Sequence, residues 1–212
     1  MPYSMTGAAR LLALVDAVRH LVDRGVPGAF AECGVWRGGS VLAMLLTLRE
    51  LGADDRDVFL YDTFTGMTKP TAADTSPLHA PALQDWEASG GRPYPELFAS
   101  GGSGEAEVRA LLEATGYPAA RLHLVAGPVE ETLPARSPGP LALLRLDTDW
   151  HESTKHELTH LYPLLAPGGV LVVDDYGHWE GARRAVDEHF AAHPPRPLLT
   201  RVDYTCRIGV RP

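Results

Sequence analysis

Cysteine is scarce in this chain: Cys33 and Cys206 are the only two among 212 residues. A disulfide framework and a cysteine zinc site are therefore excluded, and two reduced thiols packed in a core are expected. Clustered positive charge is missing as well. The 19 Lys and Arg residues face 27 Asp and Glu, giving a formal net charge of -8 with no basic run. That balance argues against nucleic acid or an anionic membrane as the main partner. The opening stretch MPYSMTGAARLLALVDAVRHL has neither a basic n-region with a clean apolar h-region nor a segment able to span a bilayer. A cytoplasmic protein with no membrane partner is the expectation. The G-x-G-x-x-G, G-x-S-x-G, P-loop and H-E-x-x-H patterns are also absent, which removes several hydrolase and phosphoryl-transfer readings.

What is present suits one α/β domain over residues 1–212, with a hydrophobic fraction of 45% to fill its core. Leu11, Leu14, Val15, Val18, Leu21 and Val22 recur at helical spacing, and Gly25-Val26-Pro27-Gly28 ends that helix. Short apolar runs at Ala29–Cys33, Val58–Tyr61, Leu122–Val125, Leu141–Leu146 and Val170–Val173 have the size of buried strands. Helical patterns separate them: Val41–Leu51, a segment starting near Ser153 and Thr154 with a capping-box Glu157, and Arg183–Phe190. Leu198–Val210 reads as two short strands around Asp203-Tyr204. Continuous apolar strands alternating with helices predict a doubly wound, mainly parallel sheet covered on both faces. One segment breaks the alternation. Between Pro70 and Gly104 lie five Pro, five Gly and four Ser, with Trp86, Tyr94 and Phe98 among them. Such an insertion is expected to be either a lid over substrate or a disordered loop.

Three groups of residues carry chemistry. The run Ala31-Glu-Cys-Gly-Val-Trp-Arg-Gly-Gly-Ser40 lies at a strand-to-helix junction, where glycines admit a ligand close to the backbone and Ser40 reads as the helix N-cap. Asp62 ends the second strand, 23 residues past Gly39, near the spacing at which an acid grips the ribose of a nucleotide cofactor. Either feature alone also suits a plain structural turn or cap; side by side they favour a nucleoside cofactor. The third group is acidic. Asp147 and Asp149 follow the fourth strand, and Asp174 and Asp175 follow the fifth. Carboxylates crowded at adjacent strand ends repel one another unless protonated, paired with Arg145, Arg183 or Arg184, or bound to a hard divalent cation such as Mg²⁺. His151 and His178, one after each acidic pair, are candidates to line the site.

These residues together are familiar. Glu32-Cys-Gly-Val-Trp-Arg-Gly-Gly-Ser40, Asp62-Thr-Phe-Thr-Gly-Met67, Leu146-Asp-Thr-Asp-Trp-His-Glu-Ser-Thr154 and Pro167-Gly-Gly-Val-Leu-Val-Val-Asp-Asp-Tyr-Gly177 resemble the macrocin O-methyltransferase family, over about Phe30 to Phe190. That family methylates deoxysugar hydroxyls of antibiotics. The resemblance implies a class I methyltransferase (Rossmann-like) fold with an antiparallel C-terminal strand, S-adenosylmethionine as methyl donor, and Mg²⁺. It implies Glu32, Gly34 and Ser40 beside the donor's methionine moiety, Asp62 at its ribose, and Gly127, Val129 and Glu130 near its adenine. Asp147, Asp174 and Asp175 correspond to the metal ligands and Asp149 to the general base. The expected partner is a small-molecule acceptor with a hydroxyl group, and a homo-oligomer stays open. Two features depart from the family: a shorter N-terminal approach to the glycine motif, and the Pro70–Gly104 insertion. Both bear on the acceptor rather than on the core chemistry. Three other readings share some of the residues: a nicotinamide oxidoreductase, a non-catalytic nucleoside-binding module, and a metal-dependent hydrolase.

Overall fold

The computed structural model describes residues 3–91 and 104–212. Its sheet has seven strands: β1 (Ala29–Cys33), β2 (Val58–Asp62), β3 (Leu122–Ala126), β4 (Leu141–Leu146), β5 (Leu165–Val173), β6 (Thr200–Arg201) and β7 (Arg207–Val210). They lie in the order β3-β2-β1-β4-β5-β7-β6. β1 to β5 pair in parallel, whereas β7 runs antiparallel to β5. The helices are α1 (Ala8–Asp23), α2 (Gly39–Glu50), α3 (Ala82–Ala88), α4 (Glu105–Glu113), α5 (Val129–Thr132), α6 (His151–His160) and α7 (Glu180–Ala192). No helix among the described residues is long and apolar enough to cross a membrane.

The continuous apolar strands follow from burial on two sides. Along β4, Leu143 belongs to a core with Leu14, Val18 and Leu21 of α1 and Met44 and Leu48 of α2. Its neighbours Leu144 and Leu146 face a second core with Leu158 of α6 and Val186 and Phe190 of α7. Successive strand residues point to opposite faces, so a strand covered on both sides has few positions open to polar residues. Arg145 and Glu32 break that rule, and they do so in register as neighbours on β4 and β1.

Two expected helix starts are corrected. α2 begins at Gly39 behind Gly38, whose φ of 81° is left-handed, so Ser40 sits inside the first turn and caps nothing. The turn instead needs glycine to pass under the N-terminal segment: a Cβ on Gly39 would meet Tyr3 O at 2.3 Å. α6 begins at His151, three residues before Thr154, so the Thr154–Glu157 capping box does not form. Glu157 turns inward, fully buried, with Oε1 accepting from the Thr148 hydroxyl at 2.8 Å. The inference from spacing failed because an acid three residues past a threonine marks a cap only at a helix end.

The first part of the Pro70–Gly104 insertion packs against the starts of α6 and α7. Asp74, fully buried, accepts from the Thr71 N–H at 2.7 Å and from the His151 N–H of α6 at 2.7 Å. The Glu180 N–H donates to Thr75 O at 2.9 Å. Asp74 thereby serves an orphan donor of α6 from across the fold. Trp86 lies half-buried on α3 and stacks over Gly91; Tyr94 and Phe98 lie outside the described residues.

Candidate active site

In this sheet the connections leave β1 in one direction toward β2 and β3 and β4 in the other toward β5, so the carboxyl ends of β1 and β4 flank the point where ligands bind in doubly wound folds. A cavity of about 230 Å³ opens there. One wall carries Gly34, Asp62, Gly127, Val129 and Glu130; the other carries Asp147, Asp149, Asp174 and Asp175. Glu32 and Ser40 are absent from the lining and lie buried behind it. Nine of the eleven residues to which the family resemblance gives a role thus share one cavity. Met5, Thr6, Arg10, Trp36, Met67 and Trp150 are among the other residues that line it, and neither His151 nor His178 does. His151 is buried between Glu152 and Glu188, and His178 bonds the Tyr204 hydroxyl.

Gly34 explains the close approach of β1 and β4. Its φ is 83°, and a Cβ there would stand 1.9 Å from the carbonyl oxygen of Asp147. Only glycine lets the Asp147 backbone lie over the turn, where its N–H donates to Cys33 O at 2.9 Å. Asp62 organises the same turn. Its Oδ2 accepts from the N–H groups of Val35 at 2.6 Å and Trp36 at 2.9 Å, and Oδ1 accepts from Phe64 N–H at 2.7 Å. Three donors fix the carboxylate at the rim and leave acceptor capacity for a ligand hydroxyl.

The opposite wall is strongly acidic. Oxygens of Asp147, Asp174 and Asp175 lie within 4.8 Å of one another. Arg145 rises beneath them from β4, with Nη1 at 2.9 Å from Glu32 Oε1 and 2.7 Å from Asp147 Oδ2, and Nη2 at 2.7 Å from Asp174 Oδ1. Arg10 of α1 reaches the other oxygen of Asp174 and sits 3.0 Å from Asp203. Of the three arginines considered as partners from the sequence, Arg145 alone fills that role. Arg183 and Arg184 form pairs along α7 instead. Asp149 occupies left-handed backbone, φ 66°, and its Oδ1 accepts from Trp179 Nε1 at 2.7 Å.

Charge is out of balance here. Burial raises the Asp147 and Asp175 carboxyls well above the ordinary range, against the pull of Arg145. Burial and then the Asp147 charge push Asp149 up to about 7, partly offset by the Trp179 hydrogen bond. Glu32 is driven to about 7 by burial although Arg145 opposes it, and its Oε2 has no hydrogen-bond partner. Four carboxylates, Glu32, Asp147, Asp174 and Asp203, share two guanidinium groups, and the neighbouring Asp149 and Asp175 pair with neither, an excess of negative charge that a further cation could balance.

Arg145 was legible as a partner because a charge inside an apolar central strand must be neutralised. Arg10 and Trp179 gave no such signal. Their partners lie 164 and 30 residues away, and nothing local in the sequence marks either contact.

Comparison with known proteins bears on the fold and the family. The chain is 33% identical over 203 residues to the 8-demethyl-8-(2,3-dimethoxy-alpha-L-rhamnosyl)-tetracenomycin-C 4'-O-methyltransferase of Streptomyces olivaceus, covering 96% of this chain and 73% of that protein. It is 33% identical over 201 residues to the demethyldecarbamoylnovobiocin O-methyltransferase of Streptomyces niveus, covering 95% and 72%. Among solved structures, the O-methyltransferase NovP superposes with a TM-score of 0.84 at 29% identity, over 99% of this chain and 82% of that one. A calicheamicin methyltransferase, CalS11, shares the fold with a TM-score of 0.69 at 22% identity, over 98% and 80%. The strand order and the antiparallel β7 are those of class I O-methyltransferases. A family profile described as Macrocin-O-methyltransferase (TylF) matches residues 1–208, and the chain belongs to that family of O-methyltransferase enzymes.

Proposed function

We propose that this enzyme transfers the methyl group of S-adenosylmethionine to a hydroxyl of a small-molecule acceptor, a deoxysugar of a natural product, with Mg²⁺ held at the acidic wall. The observation that carries this reading is one cavity with a ribose-type acid on one wall and three clustered carboxylates on the other. One named relative acts on a rhamnosyl-tetracenomycin and another on demethyldecarbamoylnovobiocin, which supports the acceptor class.

On the donor side, Asp62 would accept hydrogen bonds from the ribose, while Gly127, Val129 and Glu130 would border the adenine. Gly34 offers bare backbone to the methionine end. Glu32 and Ser40 act one layer behind, Glu32 by anchoring Arg145. The acidic donor set fits a hard divalent cation: three carboxylates converge, and the excess negative charge is uncompensated. Asp147, Asp174 and Asp175 would hold Mg²⁺, which as a Lewis acid stabilises negative charge on the acceptor oxygen and lowers its pKa.

The chain's own residues then do three things. They fix donor and acceptor on facing walls, so the reaction loses little to orientation. Asp149 takes the hydroxyl proton, from the position in which the Trp179 hydrogen bond holds its carboxylate. The acceptor oxygen forms its bond to the methyl carbon as the carbon–sulfur bond breaks, and that electron pair stays on sulfur, leaving S-adenosylhomocysteine. Trp150 and Met67 at the rim present apolar surface to exclude water.

Calorimetric titration tests the donor half. S-adenosylmethionine and S-adenosylhomocysteine should bind in the micromolar range, roughly -8 kcal/mol, and Asp62→Ala should weaken both by more than about tenfold by removing charge-assisted bonds. Absence of binding for either ligand overturns the reading. Methyl transfer that persists in chelator-treated enzyme would remove the cation from it.

A further inference from the structure

Arg10 stands apart from the other basic group of the acidic wall. Arg145 is enclosed on three sides by Glu32, Asp147 and Asp174, and its side chain is 3% exposed. It cannot withdraw without stranding its carboxylates in the interior. Arg10 arrives from outside the sheet, in the first turn of α1, with its side chain 18% exposed. It donates to Asp174 Oδ2, while its Nε lies 3.0 Å from Asp203 Oδ2, a second carboxylate that is 26% exposed. Asp203 is itself held in place, with Oδ1 accepting from the N–H groups of Thr205 at 2.9 Å and Cys206 at 2.8 Å. Arg10 therefore has a fixed alternative partner at the edge of the site.

Both oxygens of Asp174 accept from guanidinium groups, Oδ1 from Arg145 at 2.7 Å and Oδ2 from Arg10. A divalent cation ligated by Asp174 needs a lone pair on one of them at roughly 2.0–2.1 Å. Each carboxylate oxygen has a second lone pair, but using it beside an unmoved Arg10 would set two positive charges a few Å apart in a largely buried pocket, where repulsion is poorly screened. Arg10 is the partner able to move. It lies just after Met5 and Thr6, which line the cavity, and lines the cavity itself.

We propose that Arg10 is a built-in competitor for the cation: it shares Asp174 Oδ2 with the metal, and cation entry shifts its guanidinium onto Asp203, carrying with it the Met5–Thr6 rim. The inference rests on Asp147, Asp174 and Asp175 being the cation ligands. Two consequences follow. Affinity for the divalent ion is set lower than the acidic wall alone would give. Cation loading and the position of the N-terminal segment over the cavity are linked, each biasing the other by the same factor.

The test measures Mn²⁺ binding to the full chain by the electron paramagnetic resonance signal of the free ion, without any turnover. Arg10→Met keeps the apolar stem and removes the charge; it should bind Mn²⁺ about tenfold tighter, a moderate coupling. Arg10→Lys keeps a positive charge and should stay within about threefold of the parent, since most of the competition is electrostatic. Asp203→Asn retains the Oδ1 acceptor but weakens the alternative partner, so Mn²⁺ should bind several-fold more weakly. In the parent protein Mn²⁺ should alter amide hydrogen exchange over residues 5–10, and in Arg10→Met it should not. Unchanged or weaker Mn²⁺ binding in Arg10→Met, in a variant that keeps the parent's affinity for S-adenosylhomocysteine, overturns the competition and makes Arg10 a support for Asp174. Should Arg10→Met fail to fold, Asp203→Asn decides alone, and unchanged or tighter binding there overturns it. If the parent and all variants bind no Mn²⁺ while S-adenosylhomocysteine still binds, the ligand assignment itself has failed.

Discussion

Trp179 Nε1 donates to Asp149 Oδ1 at 2.7 Å, tying the start of α7 to the carboxylate proposed as the base. The pair is rigid on both sides. Trp179 is buried and meets the Trp150 ring edge-on at 5.0 Å, while the Asp149 N–H donates to Asp175 Oδ2 at 3.2 Å. Left-handed backbone at a non-glycine residue is held only where its surroundings over-determine it, and Asp149 has both of these restraints.

Replacing Trp179 with Phe keeps most of the ring packing and removes the donor. Turnover should fall about 10–100-fold, in line with the roughly 1.5–3 kcal/mol attached to a hydrogen bond on a charged group. The KM for S-adenosylmethionine should stay near the parent value because Trp179 is remote from the donor wall. Steady-state kinetics check this, and an unchanged kcat would remove Trp179 from the positioning of Asp149.

The two acidic roles separate under Mg²⁺. Asp175→Asn keeps shape but weakens the field on the cation, so activity lost at low Mg²⁺ should recover in part at high Mg²⁺. Asp149→Asn should leave the Mg²⁺ dependence nearly unchanged and lower turnover about 10²–10⁴-fold, the usual contribution of a positioned base. Activity titrated against Mg²⁺ distinguishes them. Recovery of Asp149→Asn by added Mg²⁺ would make that residue a ligand and leave the base unassigned.

Glu157 gives the fold a pH dependence of its own. Burial raises its carboxyl well above the ordinary 4.5, although the Thr148 hydroxyl and the Cys33 thiol pull the other way. Between 4.5 and that raised value the folded protein retains a proton that the unfolded chain has released. Its stabilising contribution is complete below 4.5 and declines as pH rises toward the raised value, by at most about 1.4 kcal/mol per pH unit. Glu157→Gln cannot lose that proton, so its stability relative to the parent should improve as pH rises above about 5. Urea unfolding across that range measures the slope, and parallel curves for the two proteins would show that Glu157 is ionised in the fold.

Gly34→Ala should be severe. The added methyl group would sit 1.9 Å from Asp147 O, with φ at 83°, so both the turn and the end of β4 must move. A loss of about 2–4 kcal/mol is expected from overpacking plus a strained φ. Binding of S-adenosylhomocysteine should fall with it, because the same turn positions Asp62. Thermal unfolding with and without that ligand checks both. A variant with parental Tm and affinity would show that the close approach of β1 and β4 is not required.

The strands were legible because burial on both faces leaves a continuous apolar run, as in Leu141–Leu144, which no surface element would show. The acidic pairs were legible for the same reason in reverse: Asp147 and Asp174 each end such a run, at a position the topology makes equivalent. Helix starts were less so. Ser40 and Thr154 have the right side chains for caps, yet the chain begins both helices earlier, because contacts with Tyr3 and Asp74 from distant segments decide where each first turn lies.

The sequence by itself determined the order of strands and helices, the glycine turn, and the acids at the strand ends, since each is written in residues close together in the chain. Tertiary structure decided which of the possible partners hold those acids. Asp174 is shared between Arg145, one strand away, and Arg10, 164 residues away, and Asp149 is fixed by a tryptophan 30 residues downstream. Ion pairs and hydrogen bonds need only proximity in space, so they leave no periodicity or spacing in the sequence for a reader to find.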